Sequence, residues 1–286
     1  MIGVFDSGHG GLTVLHALTQ RMPAASFTYF GDHGNAPYGP RPEGEIYTLT
    51  LAAVERLFAE GCSLVLIACN TASAVALRRL QQDWLPDAAP ERRVLGVFVP
   101  MVEALSAVSW RDGAPGPKRV PEDGMVAVFA TQRTIHSGAY PFEVGLRAPR
   151  MRVVSQACPN LVAAIEADEP EDVLHDLVTG YVAAMLKQTE GRVPEAAVLG
   201  CTHYPLVAHL FAAVLPSSVQ LLDQPTIVAD SLADYLTRHP RFAVESGQTG
   251  ARRFLTSGDP ARVAAFASRF FGSEVTFQAV GELNLL

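Results

Sequence analysis

The sequence predicts an α/β fold built as two similar domains, each with a mainly parallel sheet flanked by helices. Three observations carry that prediction. Short apolar runs alternate with stretches of helical periodicity, the pattern of βαβ units. Several runs end in a small residue followed by polar side chains, where open α/β sheets bind their ligands. Two endings also recur in order. Val4-Phe5-Asp6-Ser7 aligns with Val128-Phe129-Ala130-Thr131, an offset of 124 residues (4 to 128). The layout of Val65-Leu66-Ile67-Ala68-Cys69-Asn70-Thr71 returns in Val198-Leu199-Gly200-Cys201-Thr202-His203, with the cysteines 132 residues apart (69 to 201).

The elements follow in order. Ile2–Phe5 is a buried strand, and Asp6-Ser7-Gly8-His9-Gly10-Gly11 a tight turn. Leu12–Arg21 is a helix with Leu12, Leu15, Leu18 and Met22 on one face. The turn resembles a dinucleotide fingerprint but has Thr13 where the third glycine belongs, so a nucleotide site is weakly supported. Ser26–Phe30 is a strand closed by Gly31-Asp32, and Asn35–Pro42 is a loop. Glu45–Ala59 is a helix stopped at Gly61. Leu64–Ala68 is the strand that delivers Cys69, Ser73–Trp84 a helix, and Val94–Val99 a strand. Trp110–Asp123, rich in Pro, Gly and charge, is a linker. Beyond it, strands are expected at 125–129, 152–154, 196–199, 219–222 and 253–255, with an edge strand at 274–279. Helices are expected at 161–166, 171–187, 206–214, 227–238 and 261–271.

Composition removes several function classes. The 286 residues are 49% hydrophobic and carry a net charge of −7 without a basic cluster, which argues against nucleic acid. No apolar stretch reaches the roughly 18 residues of a membrane span, and the N-terminus lacks a basic signal region. A cytoplasmic protein with no membrane partner is expected. The cysteines are Cys62, Cys69, Cys158 and Cys201; none forms C-x-x-C and no His lies at zinc-finger spacing, so neither a disulfide framework nor a metal site is expected.

Two cysteines at equivalent strand ends suit a particular chemistry. A thiolate is a good base and a thiol an adequate acid. One thiol can take a proton from a carbon on one face while the other delivers a proton to the opposite face, which inverts the centre. Each Cys precedes a helix, whose dipole would favour the thiolate. Inversion at an amino-acid α-carbon is often assisted by pyridoxal phosphate, which needs a Schiff-base lysine. The only lysines are Lys118 and Lys187, and neither lies in a motif, so the expectation is no cofactor.

The chain resembles the glutamate racemases of the cofactor-independent aspartate/glutamate racemase superfamily. The resemblance runs in order through Asp6–Val14, Gly31-Asp32, Pro37-Tyr38-Gly39 and Ala68–Ser73. It continues through Thr131 with Thr134, Ser137 and Tyr140, then Cys158–Val162, Gly200–Pro205 and Thr256–Asp259. It implies an active site in a cleft between two α/β domains, residues 1–98 plus 206–286 and residues 99–205. It implies Cys69 as the acid/base for D-glutamate and Cys201 for L-glutamate, with Asp6 assisting Cys69 and His203 assisting Cys201. Asp6, Ser7, Tyr38, Gly39, Asn70, Thr71, Thr131, Thr134, Thr202 and His203 would hold the substrate. The product would serve peptidoglycan synthesis, and a homodimer is one allowed assembly. Some relatives carry an N-terminal extension linked to regulation by a cell-wall precursor nucleotide; with the first strand at Ile2, no such regulation is expected.

Blander readings apply to other residues. Cys62 and Cys158 are read as buried structural thiols, His9 and His33 mainly as loop residues, and Glu166 as a solvated helical residue. Three alternatives stay open: a racemase of aspartate or another small acid, a non-catalytic ligand-binding protein, and a thiol redox protein.

Overall fold

The computed structural model describes residues 1–106, 120–242 and 250–280. Residues 110–119 of the expected linker, with Lys118, lie outside them. The chain divides into two units: Met1–Val97 with the described residues from Val228 on, and Phe98–Ile227.

The first unit opens with β1 (Ile2–Asp6), α1 (Gly11–Arg21), β2 (Phe27–Gly31), α2 (Glu43–Ala59), β3 (Leu64–Ile67) and α3 (Asn70–Arg79). A π-helical turn (Leu80–Trp84), α4 (Leu85–Ala88) and β4 (Arg93–Gly96) follow. The second unit holds α5 (Phe98–Ser106), β5 (Met125–Ala130), α6 (Gln132–His136), α7 (Ala139–Arg147), β6 (Arg152–Ala157), α8 (Leu161–Glu166), α9 (Glu171–Gln188), β7 (Ala196–Gly200), α10 (Ala208–Val214) and β8 (Gln220–Leu222). Helix α11 (Gln224–Arg238) contains the passage back to the first unit, which ends with β9 (Arg252–Thr256), α12 (Pro260–Phe271) and β10 (Gln278–Ala279).

The first sheet has the order β10-β9-β2-β1-β3-β4 and the second β6-β5-β7-β8. Every strand pairing among the described residues is parallel. The stretch β2-β1-β3-β4 and the whole of β6-β5-β7-β8 share one order, so the recurrence seen in the sequence is a recurrence of topology. Strands buried on both faces explain the unbroken apolar runs: β1, β3, β5 and β7 are buried throughout. The first unit's core includes Phe5, Phe30, Leu49, Val54, Leu57, Val65 and Ile67, with Phe5 and Phe30 stacked at 6.0 Å. Cutting either Phe to Ala would cost about 3–5 kcal/mol. In the second, Phe129 packs on Phe211 at 5.1 Å.

Four differences from the sequence reading have local causes. The strand expected at Val94–Val99 stops at Gly96, and Phe98 begins a helix; a short apolar run does not separate these outcomes. Helices α6 and α7 were not expected, because Thr131–Arg147 mixes Gly, Pro and polar residues. The C-terminal edge strand shrinks to Gln278–Ala279. Residues 206–227, assigned from sequence to the first domain, lie in the second unit, because Gln220–Leu222 pairs with Ala196–Val198.

Candidate active site

In each sheet the chain leaves the first strand toward one side and later returns to its other side. The point of reversal, between β1 and β3 and between β5 and β7, is where open α/β sheets bind ligands beyond the strand ends. The residues singled out from sequence fall there. Asp6 ends β1, Ser7 follows it, and Cys69 lies just past β3. Thr131 lies just past β5, and Cys201 just past β7.

Around β1 and β3 the geometry is tight. Phe5 is in register with Ile67, and the Ala68 N–H donates to the Phe5 carbonyl at 2.8 Å, so Cys69 emerges beside Asp6 and Ser7. The Ser7 Oγ lies 3.5 Å from the Cys69 Sγ. Cys69 caps α3, its sulfur accepting the Ala72 N–H at 3.4 Å, while Asn70 and Thr71 form the buried first turn. Asp6 is fully buried, and its Oδ1 accepts the Gly8 N–H at 2.9 Å. Tyr29 donates to the Gly8 carbonyl at 2.5 Å and secures the same turn. Gly11 is required here: a Cβ on it would stand 2.4 Å from the Asp6 Cβ, so α1 can start this close only without a side chain.

The electrostatics of Cys69 correct one expectation. Burial first, and then the Asp6 charge, push its thiol up to about 12. The Ser7 and Ala72 hydrogen bonds pull the other way and are outweighed. The helix N-terminus does favour the thiolate, but desolvation in a closed site is the larger effect.

A further cluster supports the loop carrying Tyr38 and Gly39. The buried Asp32 carboxylate accepts from the Tyr38 hydroxyl at 2.6 Å, the Ser257 hydroxyl at 2.5 Å and the Asn35 amide at 3.0 Å. The side chains read as loop residues are engaged structurally. His9 lies 3.0 Å from the Val263 carbonyl and stacks on Phe270, and His33 lies 2.9 Å from both the Gly31 carbonyl and the Thr256 hydroxyl.

At β5 and β7 the arrangement differs. Thr131 caps α6, its hydroxyl 3.4 Å from the Thr134 N–H and 3.0 Å from the Thr134 hydroxyl. Cys201, Thr202 and His203 are all buried. The Cys201 Sγ lies 3.9 Å from His203 Nδ1, and His203 Nε2 lies 2.8 Å from Glu166 Oε1. A carboxylate only accepts, so Nε2 presents a proton to Glu166; in the neutral imidazole Nδ1 is then the acceptor facing the thiol. Instead of a long helix, a short 3-10 helix (Tyr204–Val207) follows Cys201, and α10 begins only at Ala208.

Glu166 is the functional candidate that sequence reasoning set aside. It ends a short helix 37 residues before His203, where a Glu is ordinarily solvated, and its side chain is 39% exposed. The available signal was its place one helix beyond Cys158-Pro159-Asn160. Asp32 was legible as part of Gly31-Asp32, though its three donors were not. Cys62 and Cys158 are buried, and burial raises both thiols. Among the described residues, no three His, Cys, Asp or Glu side chains group to hold a metal ion, and no helix is long and apolar enough to cross a membrane.

No family model matches the chain. A glutamate racemase of Paracoccus denitrificans is 48% identical to it over 278 residues, covering 97% of this chain and 99% of that protein. The chain belongs to the glutamate racemase family. Solved glutamate racemases share its fold. Isoform RacE1 of Bacillus anthracis matches with a TM-score of 0.84 at 27% identity, over 99% of this chain and 98% of that one. The glutamate racemase of Francisella tularensis, solved in complex with D-glutamate, matches with a TM-score of 0.82 at 26% identity, over 99% and 97%.

Proposed function

We propose that the chain interconverts L- and D-glutamate by a two-base mechanism that uses no cofactor, with Cys69 and Cys201 serving opposite faces of one α-carbon. One observation carries this reading. Two thiols stand at the reversal points of two sheets that share a four-strand order, and each has its own acid–base neighbour. A non-catalytic binding protein has no use for an acid–base neighbour at each thiol. Membership in the glutamate racemase family supports glutamate over aspartate as the substrate.

Cys201 removes the α-proton of L-glutamate, with its own proton passing toward Nδ1 of His203, which Glu166 holds in the required tautomer. Cys69 is a thiol in the free protein and is therefore ready to protonate the other face. In the reverse direction Cys69 is the base. Its neighbouring carboxylate, Asp6, makes that thiolate harder to form but more basic once formed, which suits a weakly acidic C–H. Ser7, Asn70, Thr71, Thr131, Thr134 and Thr202 offer hydroxyl, amide and backbone donors at turns for the carboxylates. Tyr38 and Gly39 contribute through their backbone, since the Tyr38 hydroxyl already donates to Asp32. D-Glutamate made in the cytoplasm would feed peptidoglycan synthesis.

Loss of circular-dichroism signal from L-glutamate, compared with L-aspartate, tests the reaction and the substrate together; faster turnover of aspartate would overturn the substrate. Cys69→Ala and Cys201→Ala should each lower kcat by more than about 10³-fold. Near-normal turnover in either variant would refute the two-base mechanism.

A further inference from the structure

Tyr140 stands in the stretch that carries the family resemblance, yet the mechanism above leaves it without a role. It is buried on α7, beside the strand that delivers Cys201. A Cβ on Gly200 would lie 3.1 Å from the Tyr140 ring, so the ring is packed against the residue that precedes Cys201. Two other residues hold that ring. Phe98 meets it edge-on at 4.5 Å between centroids, and the Gln224 side-chain amide donates to its hydroxyl at 3.1 Å. Gln224 is itself buried.

The positions of these two partners are what give the cluster meaning. The chain passes between its two units twice, at Val97–Phe98 and at Ile227–Val228. Phe98 is the first residue after one passage, and Gln224 starts the helix that contains the other. A single aromatic side chain thus collects contacts from both passages and rests on the strand end under Cys201. Its hydroxyl is pushed up chiefly by burial, and a charge on Cys201 pushes it further, as expected of close neighbours.

We propose that Tyr140 is a positioning residue for Cys201, holding Gly200 and the thiol after it in register with the two segments that join the units. The proposal rests on Cys201 being a base of the racemase reaction, but it can be read on the sulfur directly. Tyr140→Phe removes only the hydroxyl, Gln224→Met breaks the same hydrogen bond from the other side, and Tyr140→Leu removes the ring.

Two measurements on the full-length protein test it. The first is the rate of iodoacetamide alkylation at each cysteine, resolved by mass spectrometry. Tyr140→Phe and Gln224→Met should each speed alkylation of Cys201 roughly five-fold, the scale of one buried hydrogen bond, and leave Cys69 unchanged. Tyr140→Leu should do more; if it does not fold by thermal melting, the first two variants decide. The second is the substrate deuterium isotope effect. The enantiomers are equal in free energy, so kcat/KM falls by one factor in both directions, and the isotope effect separates the thiols. It should rise with α-deuterated L-glutamate and fall with α-deuterated D-glutamate. An unchanged Cys201 rate in both Tyr140→Phe and Gln224→Met, or equal acceleration at Cys69 and Cys201, would overturn the proposal. Failure of the mechanism itself would appear elsewhere, as racemisation surviving in Cys201→Ala.

Discussion

The Cys69 and Cys201 turns occupy the same place in matching sheets and are built differently. Cys69 caps an α-helix of ten residues, beside a fully buried carboxylate and within 3.5 Å of a serine hydroxyl. Cys201 lies before a 3-10 helix, next to an imidazole whose far nitrogen meets a partly exposed carboxylate. One thiol stands beside an enclosed charge, the other beside an imidazole that links it to a partly exposed carboxylate. The difference shows that a repeated scaffold sets where the sulfurs stand, while their acidity is set by neighbours the repeat does not share. The two should therefore respond differently to substitution and to pH.

The largest effect that would break this contrast concerns Asp6. Asp6→Asn should lower kcat at least about 100-fold. It should also make Cys69 react faster with iodoacetamide near neutral pH, because the charge that raises the thiol is gone. Slower alkylation would mean that Asp6 does not oppose the thiolate. A smaller effect is expected on the other side. Glu166→Gln should reduce kcat about ten-fold and raise the isotope effect with α-deuterated L-glutamate, without changing Cys69 alkylation. Equal isotope effects from both enantiomers would remove the relay from the Cys201 half-reaction.

Smaller still is Ser7→Ala, with kcat lowered about three- to five-fold. The Ser7 hydrogen bond lowers the Cys69 thiol, so its loss should slow alkylation, opposite in sign to Asp6→Asn. The last effect is on stability. The folded pKa of Cys69 lies above its unfolded value, so the protonated form stabilises the fold fully below about pH 9. That contribution is lost as pH rises from about 9 through 12. Melting temperature measured across this range should decline less steeply in Cys69→Ala than in the wild type; parallel curves would contradict the raised thiol.

Much of this was legible in the sequence, and what was not has identifiable causes. The strand ends at Asp6, Cys69, Thr131 and Cys201 could be read because buried parallel strands are unbroken apolar runs closed by turn residues. The partner of His203 could not, since Glu166 meets it through tertiary packing and carries no local signature. The high proton affinity of Cys69 was missed because a helix N-terminus is visible in a sequence and enclosure is not. Phe98 was read as strand because Val94–Val99 suits either a strand or a helix. Residues 206–227 were misplaced because β8 has three residues, too few to announce which sheet it joins.

The strand order of the first unit also bears on how the chain is made. Phe98–Ile227 is one continuous segment, and its four strands can close once Leu222 has been synthesised. The first unit has to wait. Strand β2 lies between β1 and β9, so from the emergence of Gly31 until Arg252–Thr256 arrives one of its edges has no native partner. An open apolar edge recruits other strands. On the ribosome, the half that begins first is therefore completed last, and the N-terminal strands are the ones most in need of shelter while the rest of the chain is made.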